Sequence, residues 1–373
     1  MVKKNKIIIV SNTSWNIYNF RRGLIKAFKK AGYDVLALAP RDRYAYMLEK
    51  EGTLYREVVI NNKGTNLIED IRLIIEFYKI LKEERPDVVL TYTIKPNIYC
   101  SIAASFLNIP IINNISGLGF LFIRDNWLTR IAELLYKFSL RHSKKIFFQN
   151  NEDLRFFVEK GIAKEDLVEV IPGSGINTDF FAPGADSKDD GRIIFLLMAR
   201  MLWDKGIREY VEAAQLVRLR YSNVEFQLLG FMDVPNPEAI SRDVVDKWVS
   251  NGTVRYLGET DNVKDVINKA DVVVLPSYRE GAPKSLLEAM SMGKPIITTD
   301  TAGCREVCDH EVNGFLVPVK DSQALADAMI RMIEAGEKRK EMGRMGRNKV
   351  LREFDERIVV GKYLDVVREV CNV

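Results

Sequence analysis

Short runs that are apolar throughout recur along the chain, separated by longer stretches whose apolar positions fall three and four apart. Continuous apolar runs predict strands buried on both faces, and the longer stretches predict helices covering a parallel sheet. One set of strands is expected at Ile7–Val10, Val35–Ala39, Val58–Ile60, Val88–Thr91, Ile109–Ile112 and Ile146–Gln149. A second is expected at Ile193–Met198, Phe226–Leu229, Val254–Leu257, Val272–Leu275, Ile296–Thr298 and Phe315–Val317. The fold class is therefore α/β, with two doubly wound, Rossmann-like domains. Between the sets, Phe181 to Asp190 is polar and aperiodic and contains Pro183 and Gly184, as a linker would. The boundary is placed after Pro183, giving domains 1–183 and 184–353, and the last helical pattern, about 354–373, is a candidate to cross back to the first. Two such domains are expected to face a cleft, with ligands at the carboxyl ends of the strands.

Composition adds exclusions. The 373 residues are 47% apolar and 28% charged with only 12 prolines, which excludes low-complexity, collagenous and disordered chains. Cys100, Cys304, Cys308 and Cys371 are too few for a disulfide framework, and Cys304 and Cys308 lack a second pair for zinc. They read as reduced thiols of a cytosolic protein. Met1 to Lys6 leads into an apolar run of only four residues, a first strand and not a signal peptide. No uncharged apolar stretch approaches the roughly 18–20 residues that span a bilayer, so the protein is expected to be soluble or peripheral. The net charge of +4 hides an asymmetry: residues 1–180 carry 27 basic and 20 acidic side chains, the remainder 28 and 31. The halves then face different partners, unless the excess is scattered solvated Lys and Arg.

The strongest local signal runs from Asp271 to Met290. A buried strand ends at Leu275, a loop with Gly281 follows, and Pro283 sits where a helix would begin. The free amides and dipole of such an N-terminus favour an anion. Glu280 lies just before the helix and Glu288 inside it, so both can face one ligand. A pair of glutamates eight apart means nothing alone; the composite Pro276-Ser277…Glu280-Gly281-Ala282-Pro283…Glu288-Ala289-Met290 is specific.

On these residues the chain resembles the family 4 glycosyltransferases, retaining enzymes with the two-domain fold called GT-B. The resemblance extends nearly end to end, through Val170 to Phe180, similar to the family's interdomain segment, and Gly293-Lys294-Pro295-Ile296-Ile297. It implies that Glu288 binds the nucleotide ribose and that Glu280 contacts the donor sugar. Gly281, Ala282, Pro283, Lys284 and Ser285 complete the implied donor-binding set. The bland alternative is that both glutamates merely cap and solvate a helix.

After the strand Ile193–Met198 comes Arg200, followed five residues later by Lys205 and then Gly206. Two cations at a strand's carboxyl end can neutralise a diphosphate, Arg as a planar fork and Lys as a point charge. The resemblance implies that they hold the donor diphosphate, with a grip that strengthens as the leaving group gains charge. Arg200, Lys205 and Glu280 are the implied catalytic residues. No Asp-x-Asp occurs, so a metal cradle is not expected and no cofactor is called for beyond the nucleotide diphosphate sugar as substrate. His142 and His310 sit in no acid–base context, so no base is assigned by motif.

Many relatives carry a histidine in the loop that here reads Asn113 to Gly119, with Ser116 nearby. That departure fits a mechanism in which the leaving diphosphate takes the acceptor proton. The first loop, Ser11 to Arg22, lacks the Gly-x-Gly-x-x-Gly of a dinucleotide binder. Its Ile17-Tyr18-Asn19-Phe20-Arg21 and the later Trp203-Asp204-Lys205-Gly206 resemble the subgroup that extends undecaprenyl-diphosphate-linked sugars with N-acetylhexosamine. Asn16, Tyr18, Arg21, Asn113, Ser116 and Gly117 are accordingly the acceptor-binding candidates of the first domain, and the second binds the nucleotide sugar. A solvated helix face is the alternative for Arg21 and Arg22.

Residues 127–145 place Trp127, Ile131, Leu134, Leu135 and Phe138 on one helix face, with Arg130, Lys137, Arg141 and Lys144 beside it. Such a helix either packs its apolar stripe on the sheet or rests on anionic lipid. The whole reading is a hexosyltransferase moving a hexose or N-acetylhexosamine from a nucleotide diphosphate, uridine first, to a saccharide acceptor on a polyprenyl diphosphate in surface glycan assembly. Its partners are the nucleotide sugar, that acceptor and the inner face of the cell membrane, without nucleic acid. The rivals are a nucleotide-sugar epimerase of similar architecture and a non-catalytic nucleotide-sugar-binding protein.

Overall fold

Valine- and isoleucine-rich runs with no polar face can be buried only between two helical layers, and that is where the chain puts them. The computed structural model describes residues 5–61, 66–117, 127–184, 191–232 and 236–372. These divide into two compact units, one of residues 1–174 with 356–373, the other of residues 175–355.

The first unit holds a seven-stranded sheet in the order β3-β2-β1-β4-β5-β6-β7. Its strands are β1 (Lys6–Val10), β2 (Asp34–Ala39), β3 (Leu54–Glu57), β4 (Val88–Tyr92), β5 (Ile111–Ile115), β6 (Ser143–Phe148) and β7 (Val168–Val170). All pairings are parallel. One face is covered by helices that include Leu67–Glu84 and Trp127–Ser139. The other is covered by Ser14–Lys30 and the C-terminal helix Glu356–Cys371, whose Val359, Tyr363 and Val367 are buried.

The second unit has a six-stranded parallel sheet in the order β10-β9-β8-β11-β12-β13. Here β8 is Ile193–Met198, β9 Val224–Leu229, β10 Arg255–Tyr256, β11 Val272–Leu275, β12 Ile296–Thr299 and β13 Gly314–Val317. The strand order reverses between β8 and β11, and at such a switch point the loops leave a crevice at the carboxyl ends.

Several expectations need correction. Val58–Ile60 is not a strand: β3 ends at Glu57, and Val58 and Ile60 bury themselves in the loop beyond. The strand expected at Ile109–Ile112 is Ile111–Ile115, because Pro110 has no N–H for the ladder and Ile109 bonds the Ala104 carbonyl. The strand β7 was not foreseen, being a three-residue edge around the charged Glu169. The boundary falls at Ser174, nine residues before Pro183. Residues 176–181 are bonded into the second unit, Ile176 N–H to the Phe354 carbonyl, Thr178 to Asp355 and the Phe181 carbonyl to Ser291 Oγ. Of the expected linker, residues 185–190 lie outside the described residues.

Candidate active site

Two loops of the second unit meet at the carboxyl ends of adjacent strands. The first follows β8, where Trp203–Lys205 forms a single 3-10 turn and Gly206, in the left-handed region at φ +70, caps the helix Ile207–Arg218. A Cβ on Gly206 would lie 2.0 Å from the Pro276 carbonyl oxygen, so only glycine lets this turn pass so close to the second loop. That second loop follows β11. Its Tyr278 N–H donates to the Asp204 carbonyl at 2.9 Å and its Ser277 Oγ to the same oxygen at 3.2 Å. On the far side Glu280 N–H bonds the Ala302 carbonyl, and a Cβ on Gly303 would lie 2.4 Å from the Glu280 carbonyl oxygen. The loop is held from both sides.

This stitching puts Lys205 and Glu280 together. Lys205 Nζ lies 2.6 Å from Glu280 Oε1, and the side chains are only 14% and 16% exposed. Arg200, two residues beyond β8, is exposed and makes no ion pair or hydrogen bond of its side chain among the described residues. Pro283 stands at the N-cap of the helix Lys284–Ser291, in extended conformation. Its carbonyl accepts from Leu286 and Leu287, and the amides of Lys284 and Ser285 stand ahead of these at the helix N-terminus. Gly281, Ala282 and Ser285 are partly exposed along this loop and first turn. Glu288 lies one turn in, 12% exposed, with Lys284 Nζ at 3.6 Å. Burial pushes its carboxyl above the ordinary 4.5, and Lys284 offsets only part of the shift. The arrangement offers cations and the amides of a helix N-terminus for phosphates and two carboxylates for hydroxyls.

Some participants had no signal in the sequence. Tyr278 donates its hydroxyl to Glu209 Oε1 at 2.7 Å, and burial together with that carboxylate raises the phenol's pKa well above 10. Glu209 is itself buried in the first turn of the helix Ile207–Arg218, where the helix dipole favours its charge. A tyrosine and a glutamate 69 positions apart carry no motif.

The first unit treats its candidates differently. Asn16 lies in the first turn of Ser14–Lys30, its backbone N–H on Thr13 Oγ1 and its buried Oδ1 without a partner. Tyr18 packs against Tyr44, ring centres 5.6 Å apart. Arg21 is 2% exposed, so the solvated reading fails; its guanidinium lies 3.8 Å over the Tyr92 ring and donates to Ser174 Oγ at 2.9 Å. Arg22 is the solvated one, paired with Glu51. Asn113 is fully buried, its amide nitrogen on Thr91 and Ser101 and its oxygen taking the Ser143 hydroxyl. That corrects its assignment, because a group bonded on every side inside the core has nothing left for an acceptor. Ser116 and Gly117 are partly exposed after β5, with Ser116 Oγ on Asn114 Oδ1 at 2.7 Å. Leu118 and Gly119 lie outside the described residues.

The helix Trp127–Ser139 does not pack its apolar stripe on the sheet. Thr129, Ala132, Tyr136 and Ser139 face inward, whereas Trp127 and Leu134 are 68% and 67% exposed with Ile131 and Phe138 beside them. Arg130, Lys137 and Arg141 are exposed next to that stripe, and Leu135 is half-buried. No helix among the described residues is long and apolar enough to cross a membrane.

Residues 6–150 match the family model described as Glycosyl transferase 4-like, and residues 192–335 that described as Glycosyl transferases group 1. The chain is 28% identical, over 98% of its own length and 99% of the other's, to N,N'-diacetylbacillosaminyl-diphospho-undecaprenol alpha-1,3-N-acetylgalactosaminyltransferase of Campylobacter jejuni. It is 25% identical, over 73% of both chains, to UDP-Gal:alpha-D-GlcNAc-diphosphoundecaprenol alpha-1,3-galactosyltransferase of Escherichia coli. Anabaena HepE, solved in complex with UDP-glucose, shares the fold at a TM-score of 0.81 and 18% identity, over 98% of this chain and 99% of that one.

Proposed function

We propose, from the premise that this chain is a GT-B glycosyltransferase whose halves belong to the Glycosyl transferase 4-like and group 1 families, that it extends a saccharide on a polyprenyl diphosphate. The donor is a UDP-hexose or UDP-N-acetylhexosamine, bound by the second unit, and the sugar is transferred with retention and without a metal. The single observation that carries this reading is the convergence of Lys205 and Glu280 at the switch between β8 and β11, with Arg200 and Glu288 on the flanking elements. A relative that matches the chain from end to end, and a second that matches 73% of it, are named for undecaprenyl-diphosphate-linked acceptors, and nothing in these similarities supports an epimerase.

Each residue has a task set by its chemistry. Arg200 and Lys205 neutralise the diphosphate, most strongly as the bond from the anomeric carbon to the β-phosphate oxygen breaks and charge builds on that oxygen. The amides of Lys284 and Ser285 add dipoles at the helix N-terminus. Glu288 accepts from the ribose hydroxyls, and Glu280 from the sugar. The acceptor hydroxyl oxygen forms the new bond to the anomeric carbon on the face the diphosphate leaves, and its proton passes to the departing phosphate oxygen. No protein base is then needed, consistent with the exposed positions of both histidines.

The acceptor's diphosphate stays at a bilayer surface, so the protein must come to it. The exposed Trp127, Ile131, Leu134 and Phe138, beside Arg130, Lys137 and Arg141, suit an interfacial helix on anionic lipid at the cytoplasmic face. Helix Leu67–Glu84 of the same unit exposes Leu67, Ile68, Ile71 and Ile75 as well. The test is incubation with a panel of UDP-sugars and polyprenyl-diphosphate-linked acceptors, with and without EDTA. Product in both arms supports the reading; strict dependence on added magnesium or manganese contradicts the cationic clamp, and activity only on free oligosaccharides contradicts the lipid-linked acceptor.

A further inference from the structure

The two residues expected to receive the diphosphate and the sugar are bonded to one another. Lys205 Nζ and Glu280 Oε1 are 2.6 Å apart, mostly shielded from water, and each is the other's only charged partner among the described residues. We propose that donor binding proceeds by partner exchange at this pair, and that the exchange makes the site prefer the nucleotide sugar over the nucleoside diphosphate it becomes. The proposal rests on the donor-site reading above and goes beyond it.

An incoming diphosphate draws Lys205 away, and Glu280 loses its cation at the moment a second anion arrives nearby. The carboxylate cannot retreat far, because its loop is bonded to Asp204 on one side and to Ala302 on the other, with Gly303 packed against its carbonyl. A shielded carboxylate left without a partner is strongly unfavourable. Sugar hydroxyls are the donors that relieve it. A nucleotide sugar therefore supplies both halves of the exchange, an anion for Lys205 and hydroxyls for Glu280. The free nucleoside diphosphate supplies only the first, so it binds against a stranded charge and leaves readily after transfer.

The test compares UDP with UDP-N-acetylgalactosamine and UDP-galactose, titrated calorimetrically without acceptor into the full chain and its variants. Glu280→Gln keeps the shape of the side chain and removes the charge. It should bind UDP about tenfold more tightly than the unmodified protein, a typical cost of a nearby like charge, while its affinity for the nucleotide sugars does not rise. Glu280→Ala is measured in parallel so that one folded variant suffices. Lys205→Ala must weaken UDP binding; if it does not, the donor-site reading fails. If Lys205→Ala weakens UDP but removing the Glu280 charge leaves UDP affinity unchanged or lower, the exchange is overturned and the site reading stands. An equal rise for UDP and the nucleotide sugars would also overturn it, since plain repulsion of diphosphate would then suffice.

Discussion

At the scale of single residues, chemistry follows from which charges are paired and which are not. Lys205→Ala and Glu288→Ala should each lower turnover about 100-fold or more, as loss of a transition-state contact of roughly 3 kcal/mol does. Steady-state kinetics checks this, and near-normal rates in both variants would contradict the assignment. Glu288 also sets a pH dependence. Burial raises its carboxyl above the ordinary value, so the ionised form proposed to accept ribose hydroxyls is lost earlier on acidification than at an exposed glutamate. UDP affinity should fall as pH drops through that raised value. The same shift lowers folding stability as pH rises from the ordinary value to the raised one, because there the unfolded chain has already shed the proton. Glu288→Gln should flatten both curves, measured by titration calorimetry and thermal melts; an unchanged profile would mean that another group titrates. Arg200 and Lys205 stood out because they closely follow one strand end, and Glu280 and Glu288 because they flank a helix start after another. The Tyr278–Glu209 bond was not, and Asn113 misled because an amide in a strand looks the same whether it faces a ligand or a buried Ser143.

At the scale of elements, the fully buried strands were legible and the edges were not. The strands β8 and β11 stand where their apolar runs place them, whereas β3 and β7 carry charged residues and exposed side chains that hide an edge. Close backbone passages are equally silent in the sequence, and they make specific predictions. Gly206→Ala combines φ +70 with a Cβ driven into the Pro276 carbonyl. It should lower the melting temperature by about 5 °C or more and cost activity by parting the Lys205 and Glu280 loops. Gly361→Ala, on a helix with open space around it, should be neutral or slightly stabilising. Equal melts for the two would contradict the packing. Spacing alone gave the apolar stripe of Trp127–Ser139, but which face is buried depends on the small and polar residues opposite, Thr129, Ala132 and Ser139. Charge reversal at Arg130, Lys137 and Arg141 should reduce sedimentation with anionic vesicles while sparing UDP affinity, and added salt should mimic it. Loss of UDP binding in that variant would show instead that the helix supports the fold.

At the scale of the molecule, the sequence rhythm gives two nucleotide-type units, and it misplaces only their seam. The segment from Ile176 to Phe181 falls on the first domain's side of a boundary placed after Pro183, because the polar, aperiodic stretch begins only at Phe181, yet its groups are bonded to Phe354, Asp355 and Ser291 of the second unit. The helix Glu356–Cys371 belongs to the first unit through Val359, Tyr363 and Val367, so the chain returns to the unit it left after Ser174. The function proposed at this scale is transfer of a sugar, with retention, from a nucleotide diphosphate to a lipid-linked saccharide. The most direct measurement is NMR of the product formed from a UDP-α-sugar and a polyprenyl-diphosphate-linked acceptor, read at the new anomeric proton. An α-configured linkage with stoichiometric release of UDP is the predicted result. A β-configured linkage, or UDP released with no sugar on the lipid, would contradict the account.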